Sequence, residues 1–222
     1  MTEEVKALAD GIVSADDPVT LAELLRRLLA TTVPERLVLR YHPLGFVDLP
    51  LDTKPVDVSR RLPTRATVHI WHPAVSRAEA EPPICHAHGW HLTSTVLSGS
   101  VGNQAYDVQL AADGNLCLYE ILYTGDTSVS RRTDVTCTAT PVAAVFHRAG
   151  ATYQIAADAY HASVLDGDEL VITAMASDNM RPAPALAIRP RSMPGELRYD
   201  RQPLPDYEKK VVIGDMLAVL NR

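Results

Sequence analysis

The chain has 222 residues, 46% of them hydrophobic and 22% charged. That balance excludes wholesale disorder and suits one large domain. Twenty-one Lys+Arg against 27 Asp+Glu leave a net charge of −6 with no basic run, which argues against a nucleic-acid partner.

The first 33 residues read as helical. The opening stretch from Met1 to Gly11 is acidic and lacks an apolar segment, so no secretory signal is expected. Asp17-Pro18 offers an N-cap followed by proline at the first helical position. Leu21, Leu24, Leu25, Leu28 and Leu29 then form one apolar helical stripe, and Thr31-Thr32-Val33-Pro34 ends it. This predicts a packing helix that covers a sheet.

From Leu37 to about Ala176, short runs rich in Val, Ile, Thr and Tyr alternate with turn residues such as Ser98-Gly99, Asp113-Gly114 and Ala149-Gly150. Such spacing predicts a mainly β fold, a sandwich or barrel. The segment Arg181–Pro205 is proline-rich and is expected to run over the surface in extended form. Asp206–Leu220 reads as a last helix with Val212, Met216, Val219 and Leu220 on its apolar face. The expected organisation is a helical segment over 1–34, a barrel over 35–180 and a surface segment plus helix over 181–222, within one domain. No stretch approaches ~18 apolar residues, so no membrane span is expected. Cys85, Cys117 and Cys137 are odd in number and widely spaced, which predicts free thiols and fits a cytoplasmic protein.

Chemistry concentrates in the histidines. His86 and His88 sit at i and i+2, so a strand would aim both at one face, where they suit a shared metal ion. His161 follows Gly150 by eleven residues. These two spacings resemble the two motifs of the cupin superfamily. His86, His88 and Gly99 match the first motif; Gly150 and His161 match the second, with Ala156 and Asp158 in place of its proline and second glycine. The resemblance covers roughly Thr67 to Ala176. It implies a cupin-type β-barrel, a double-stranded β-helix or jelly roll, with His86, His88 and His161 as metal ligands.

Where many cupins carry a glutamate ligand, this chain has Leu92, or Thr93 by the longer spacing. Neither can bind a metal, so the resemblance implies a three-imidazole shell. Within cupins that set is similar to the thiol dioxygenases, the cysteine dioxygenase group. Their further histidine is nearly echoed by His91, and their N-terminal helices by the first segment. The Ser-His-Tyr string of that group is absent, which leaves Tyr160 and Tyr106, with His91, as candidate catalytic groups. Arg40, Arg65, His69 and Trp90 are candidates for binding substrate: the arginines to hold a carboxylate bidentately, His69 to line the pocket and Trp90 to wall it. Three neutral ligands keep a divalent ion's full charge and suit a small anionic substrate. Fe(II) would permit oxygen activation; Zn, Ni or Mn would also accept imidazoles. The expected function is a non-heme iron dioxygenase using a small thiol or carboxylate and dioxygen, and the resemblance to cupins implies a homodimer. The alternatives are a zinc-type lyase or isomerase and a non-catalytic ligand-binding cupin.

Overall fold

The structure, a computed structural model, describes residues 2–51, 65–75, 82–178 and 184–221. Two helices open it. In α1 (Glu3–Val13) the Thr2 hydroxyl accepts from the Val5 N–H; in α2 (Pro18–Thr31) the Asp17 carboxylate accepts from the Val19 and Thr20 N–H groups. Both caps satisfy amides that a helix start leaves without partners. The leucine stripe behaves as its spacing predicts: Leu21, Leu25, Leu28 and Leu29 are buried and Leu24 packs beside them. The last helix, α3 (Asp206–Leu220), buries Val212, Ile213 and Met216, with Val219 and Leu220 partly covered. No described helix is long and apolar enough to cross a membrane.

Between the helices lie β1 (Arg40–Tyr41), β2 (Val47–Pro50), β3 (Arg65–Trp71), β4 (Cys85–Ala87), β5 (His91–Ser98), β6 (Ser100–Leu110), β7 (Leu116–Thr124), β8 (Thr127–Arg148), β9 (Thr152–Ile155), β10 (His161–Val164), β11 (Val171–Asp178), β12 (Ala185–Pro190) and β13 (Glu196–Asp200). They form two antiparallel sheets, ordered β1-β2-β3-β11-β5-β9 and β13-β8-β6-β10-β4-β12-β7. The fold is thus mainly β, two antiparallel sheets with helices at both ends of the described chain.

Alternation along the strands assigns the faces of the six-stranded sheet. Val68 and Ile70 on β3, with Ile172 and Ala174 on β11, pack against the leucines of α1 and α2. Their neighbours Trp71 and Val171 join Val96 of β5, Phe46 and Val101 of the other sheet in a second cluster. This sheet therefore carries helices on one face and the second sheet on the other.

The second sheet closes on itself. β8 is long enough to pair with β7 through its first half and with β6 through its second, which joins β8, β6, β10, β4, β12 and β7 into a ring. Cys85, Leu116, Cys137 and Ile188 pack together with Tyr106, Val108, Ala139 and Tyr160 at its centre. Each strand of the ring except β10 supplies a residue to that group, and Tyr160 immediately precedes β10. The alternate residues on these strands face outward: Cys117, Tyr119 and Ala187 pack with Met193, and Val101 joins the cluster of the six-stranded sheet.

Two expectations change. The proline-rich stretch is not merely a surface run: β12 lies within it, between β4 and β7, with Ala185, Ala187, Ile188 and Arg189 buried. Its prolines bound the strand rather than interrupt it, since Pro184 precedes it and Pro190 is its last residue. Nor are all the strands short, as the run lengths predict: β8 spans 22 residues, pairing with β7 over its first half and β6 over its second.

All three cysteines are free and buried, as the sequence predicts. Burial pushes the Cys85 thiol up to about 12. The thiolate is the reactive form. We therefore expect no rapid reaction of the native protein with a thiol-specific disulfide reagent at pH 8, and reaction of three thiols after denaturation. A fast-reacting thiol in the native protein would contradict the closed ring.

Candidate metal centre

β4 lies between β10 and β12, and this placement assembles the site. His86 stands directly opposite His161 on one side and Ala187 on the other. Directly opposed residues in an antiparallel pair share a face. His88 follows just beyond the end of β4, two residues from His86. The ring centres lie 4.8 Å apart for His86 and His88, 4.3 Å for His86 and His161, and 5.3 Å for His88 and His161. One ring nitrogen from each comes within 4.8 Å of the others. No carboxylate or thiol joins them among the described residues.

The second motif works despite its substitutions. Gly99 and Gly150 have φ of 73° and 90°, and Asp158, in the place of the second glycine, has φ of 64°. Aspartate is among the few side chains that enter this left-handed region without a large penalty. The Asp158 N–H donates to the His88 carbonyl at 2.7 Å. The turn therefore ties His88 to the approach of His161.

Electrostatics favour the metal-binding form of each ring. Burial, reinforced by His161 and His88, holds His86 well below the usual imidazole range. Burial, with His161 and His69 adding to it, lowers His88 to about 3. His161 is lowered by burial and partly restored by its bond to Ala159. All three are neutral at physiological pH, so no proton must leave before a metal binds.

The donor set fits a divalent ion. His161 Nδ1 donates to the Ala159 carbonyl at 2.9 Å, which fixes its tautomer and leaves the Nε2 lone pair available. His88 Nδ1 is buried with no hydrogen-bond partner among the described residues. Metal–nitrogen bonds of ~2.0–2.1 Å need nitrogens roughly 3–3.5 Å apart, a change that small side-chain rotations supply.

The other candidates are dispersed. Trp90 stacks on His88 at 4.7 Å between centres, so it buttresses a site ring. His69 faces the space between the sheets, 4.4 Å from Phe46, with Nε2 3.9 Å from the Asp48 carboxylate. His91 is exposed, and its Nδ1 accepts from the Ala157 N–H at 3.4 Å, outside the group. Tyr106 and Tyr160 pack inside the ring with Cys85, on the face of β4 opposite His86. Strand alternation turns them away: each is an odd step from the residue that faces the site. Arg40 is ion-paired with Asp126. The backbone of Arg65 opens β3, and its side chain lies outside the described residues. Leu92 pairs with Ser177 on β11, in register with Val96 opposite Thr173, so it shares the inward face of its sheet.

Sequence reasoning missed part of the lining. A cavity of about 60 Å³ is bounded by His86 and His88 together with His42, Arg189, Arg201 and Ser130. At ~10–15 Å³ per water this holds about four to six waters. His42 is carried in by a turn and stacks on Phe46 with centres 4.0 Å apart. Arg189 had one legible signal, a lone charge ending the apolar run from Ala185 to Ile188.

No family model matches the chain, and no curated protein matches it. Among solved structures, the oxalate decarboxylase of Lactobacillus farciminis in its formate complex is 14% identical over 69% of this chain and 34% of its own, with a TM-score of 0.36. The 11S globulin of Wrightia tinctoria, whose structure shows an auxin-binding site, is 16% identical over 69% of this chain and 29% of its own, also at 0.36. Neither is described as a dioxygenase. The chain spans about a third of their length. Likeness at this level adds no weight to the argument, which rests on the strand order and the histidine cluster.

Two outcomes follow from the site. The folded state keeps His42, His69, His86, His88 and His161 below their ordinary value, mainly by burial. The unfolded chain then binds more protons below pH ~6.5, so stability falls as pH drops through that value. Between pH 7.5 and 5.5 the metal-free protein should lose up to ~1.4 kcal/mol for each histidine that stays neutral, a few kcal/mol in all, read from denaturant midpoints. A flat profile would contradict burial of the neutral rings. At the turn, Asp158→Gly should be tolerated, whereas Asp158→Val should cost about 1–2 kcal/mol and loosen metal binding. Equal stability of the two variants would show that the left-handed turn is not held.

Proposed function

We propose that the chain is a metal-dependent enzyme of the non-heme iron dioxygenase type, acting on a small anionic molecule such as a thiol or carboxylate. The observation that carries this reading is the neutral three-imidazole group, two of whose rings, His86 and His88, line a small cavity that also takes Arg189 and Arg201.

His86, His88 and His161 would hold the ion. Bound Fe(II) would supply a cationic centre with open positions for substrate and dioxygen. With no carboxylate in the group, the ion's charge is not offset by the protein, and an anionic donor is the complement it lacks. Trp90 holds the His88 ring by stacking, and the Ala159 carbonyl holds His161 in one tautomer. Phe46, Trp71 and Val96 pack as an apolar cluster, and Phe46 stacks on His42 of the cavity lining.

Purification without added metal, followed by metal analysis and an oxygen-uptake screen on small thiols and carboxylates, tests the reading. Iron at near one per chain with uptake on one of these acids is the expected result. Bound zinc without uptake would move the function to non-redox chemistry at the same three histidines. His86→Ala, His88→Ala and His161→Ala should each strip most of the metal from a folded protein. His147→Ala should keep it, because that ring stacks on Tyr153 at 4.2 Å, outside the group. A His161→Ala protein with its full metal complement would remove His161 from the shell.

A further inference from the structure

One histidine of the cavity lies outside the metal group. His42 stands in the tight turn between β1 and β2. Its backbone N–H donates to the Phe46 carbonyl at 2.8 Å, and its carbonyl accepts from the Gly45 N–H at 2.9 Å. Gly45 has φ of 89°, a left-handed conformation that glycine enters freely and that lets the chain reverse here. The turn carries the His42 ring to the space lined by His86 and His88. Phe46 clamps the ring from one side, with the two planes only 9° apart.

The same turn sets the tautomer of His42. The Leu44 N–H donates to Nδ1 at 3.2 Å, so Nδ1 keeps its lone pair and Nε2 carries the proton of the neutral ring. Burial holds the ring well below the usual imidazole range, and Arg201, His69 and His88 act in the same direction. Nothing among the described residues accepts from Nε2. A protonated Nε2 has no lone pair for a metal, and His42 accordingly stands outside the group of His86, His88 and His161. What remains is one free N–H donor on a clamped, uncharged ring.

We propose that His42 is the fixed hydrogen-bond donor of the site: its Nε2–H donates to the free end of a ligand held on the metal at the three histidines. This rests on the metal reading above and assigns a contact residue to it. The cavity has room for only about four to six waters, so a ligand of a few atoms that starts at His86 and His88 meets the remaining lining, His42 included. A donor fixed before the ligand arrives needs no reorganisation when it does. An imidazolium in the same place would repel the ion, whereas a neutral ring donates without that repulsion. Hydrogen bonds to ionised acceptors are roughly twice as strong as those between neutral groups, so this donor favours a ligand that keeps an acceptor atom after binding the ion.

Two measurements on the full-length protein test the role. Nitrogen NMR of the metal-free protein with isotope-labelled histidine reads the tautomer, with His42→Phe assigning the signals. At pH 7.5 His42 should show a protonated Nε2 and a bare Nδ1; a proton on Nδ1 would overturn the proposal. The Co(II)-loaded protein is then titrated with azide, which keeps acceptor nitrogens once bound, and with ammonia, which keeps none. Binding is read from the visible absorption of the ion. His42→Phe retains a ring to stack on Phe46 and loses the donor. It should weaken azide about tenfold or more and leave ammonia affinity and Co(II) content within about twofold of wild type. His42→Gln returns a side-chain N–H and should recover azide to within about threefold. His42→Met takes the place of His42→Phe if that variant does not fold. Unchanged azide affinity without the donor, equal weakening of azide and ammonia, or no recovery in His42→Gln would each overturn the role while leaving the metal site standing. A protein that takes up no Co(II) would instead sink the metal reading, and this role with it.

Discussion

The site depends on the placement of β4 between β10 and β12. Three residues of β4 are enough to fix His86 opposite His161, because each backbone partner is set by the ladder and not by the side chains. A one-residue slip would put Cys85 in place of His86 and turn the imidazole into the apolar centre of the ring. The Asp158 N–H, by donating to the His88 carbonyl, pins the loose end of β4 to the turn that delivers His161. Register and turn together determine whether the three rings meet.

Closing the ring has a second effect. It sets one face of its strands on Cys85, Cys137 and Ile188, while the outward face of β4 and β12 is buried around His86, Ala187 and Arg189. Polar side chains on the outward face are then enclosed without an acid beside the histidines among the described residues. Enclosure drives the imidazoles neutral, and neutrality makes them ligands. The same enclosure holds Arg189 away from water beside Tyr119. The cavity lined by His86 and His88 also takes Arg189 and Arg201, with no carboxylate in its lining among the described residues.

Much of this was legible in the chain. The leucine stripe of α2 and the Asp17 cap follow from spacing alone, and the i, i+2 relation of His86 and His88 already implied a shared face. The distance from Gly150 to His161 carried the third histidine, although Ala156 and Asp158 depart from the motif. What the sequence could not show were relations set by pairing. Tyr160 adjoins His161 in the chain but faces the other way, and His91 lies close in sequence to His88 but ends exposed. Proline density masked β12, since composition cannot tell prolines that bound a strand from prolines that break one. With β12 hidden, Arg189 had no visible place, and the arginines that stood on recognisable strands were nominated instead.

X-ray absorption at the edge of the metal bound to the full-length protein tests the three-imidazole centre most directly. The predicted spectrum has a first shell of nitrogen and oxygen scatterers, with outer-shell features requiring three imidazoles and no sulfur, and His161→Ala leaves two. Fewer than three imidazoles in the wild-type protein, or a sulfur scatterer near 2.3 Å, would contradict it.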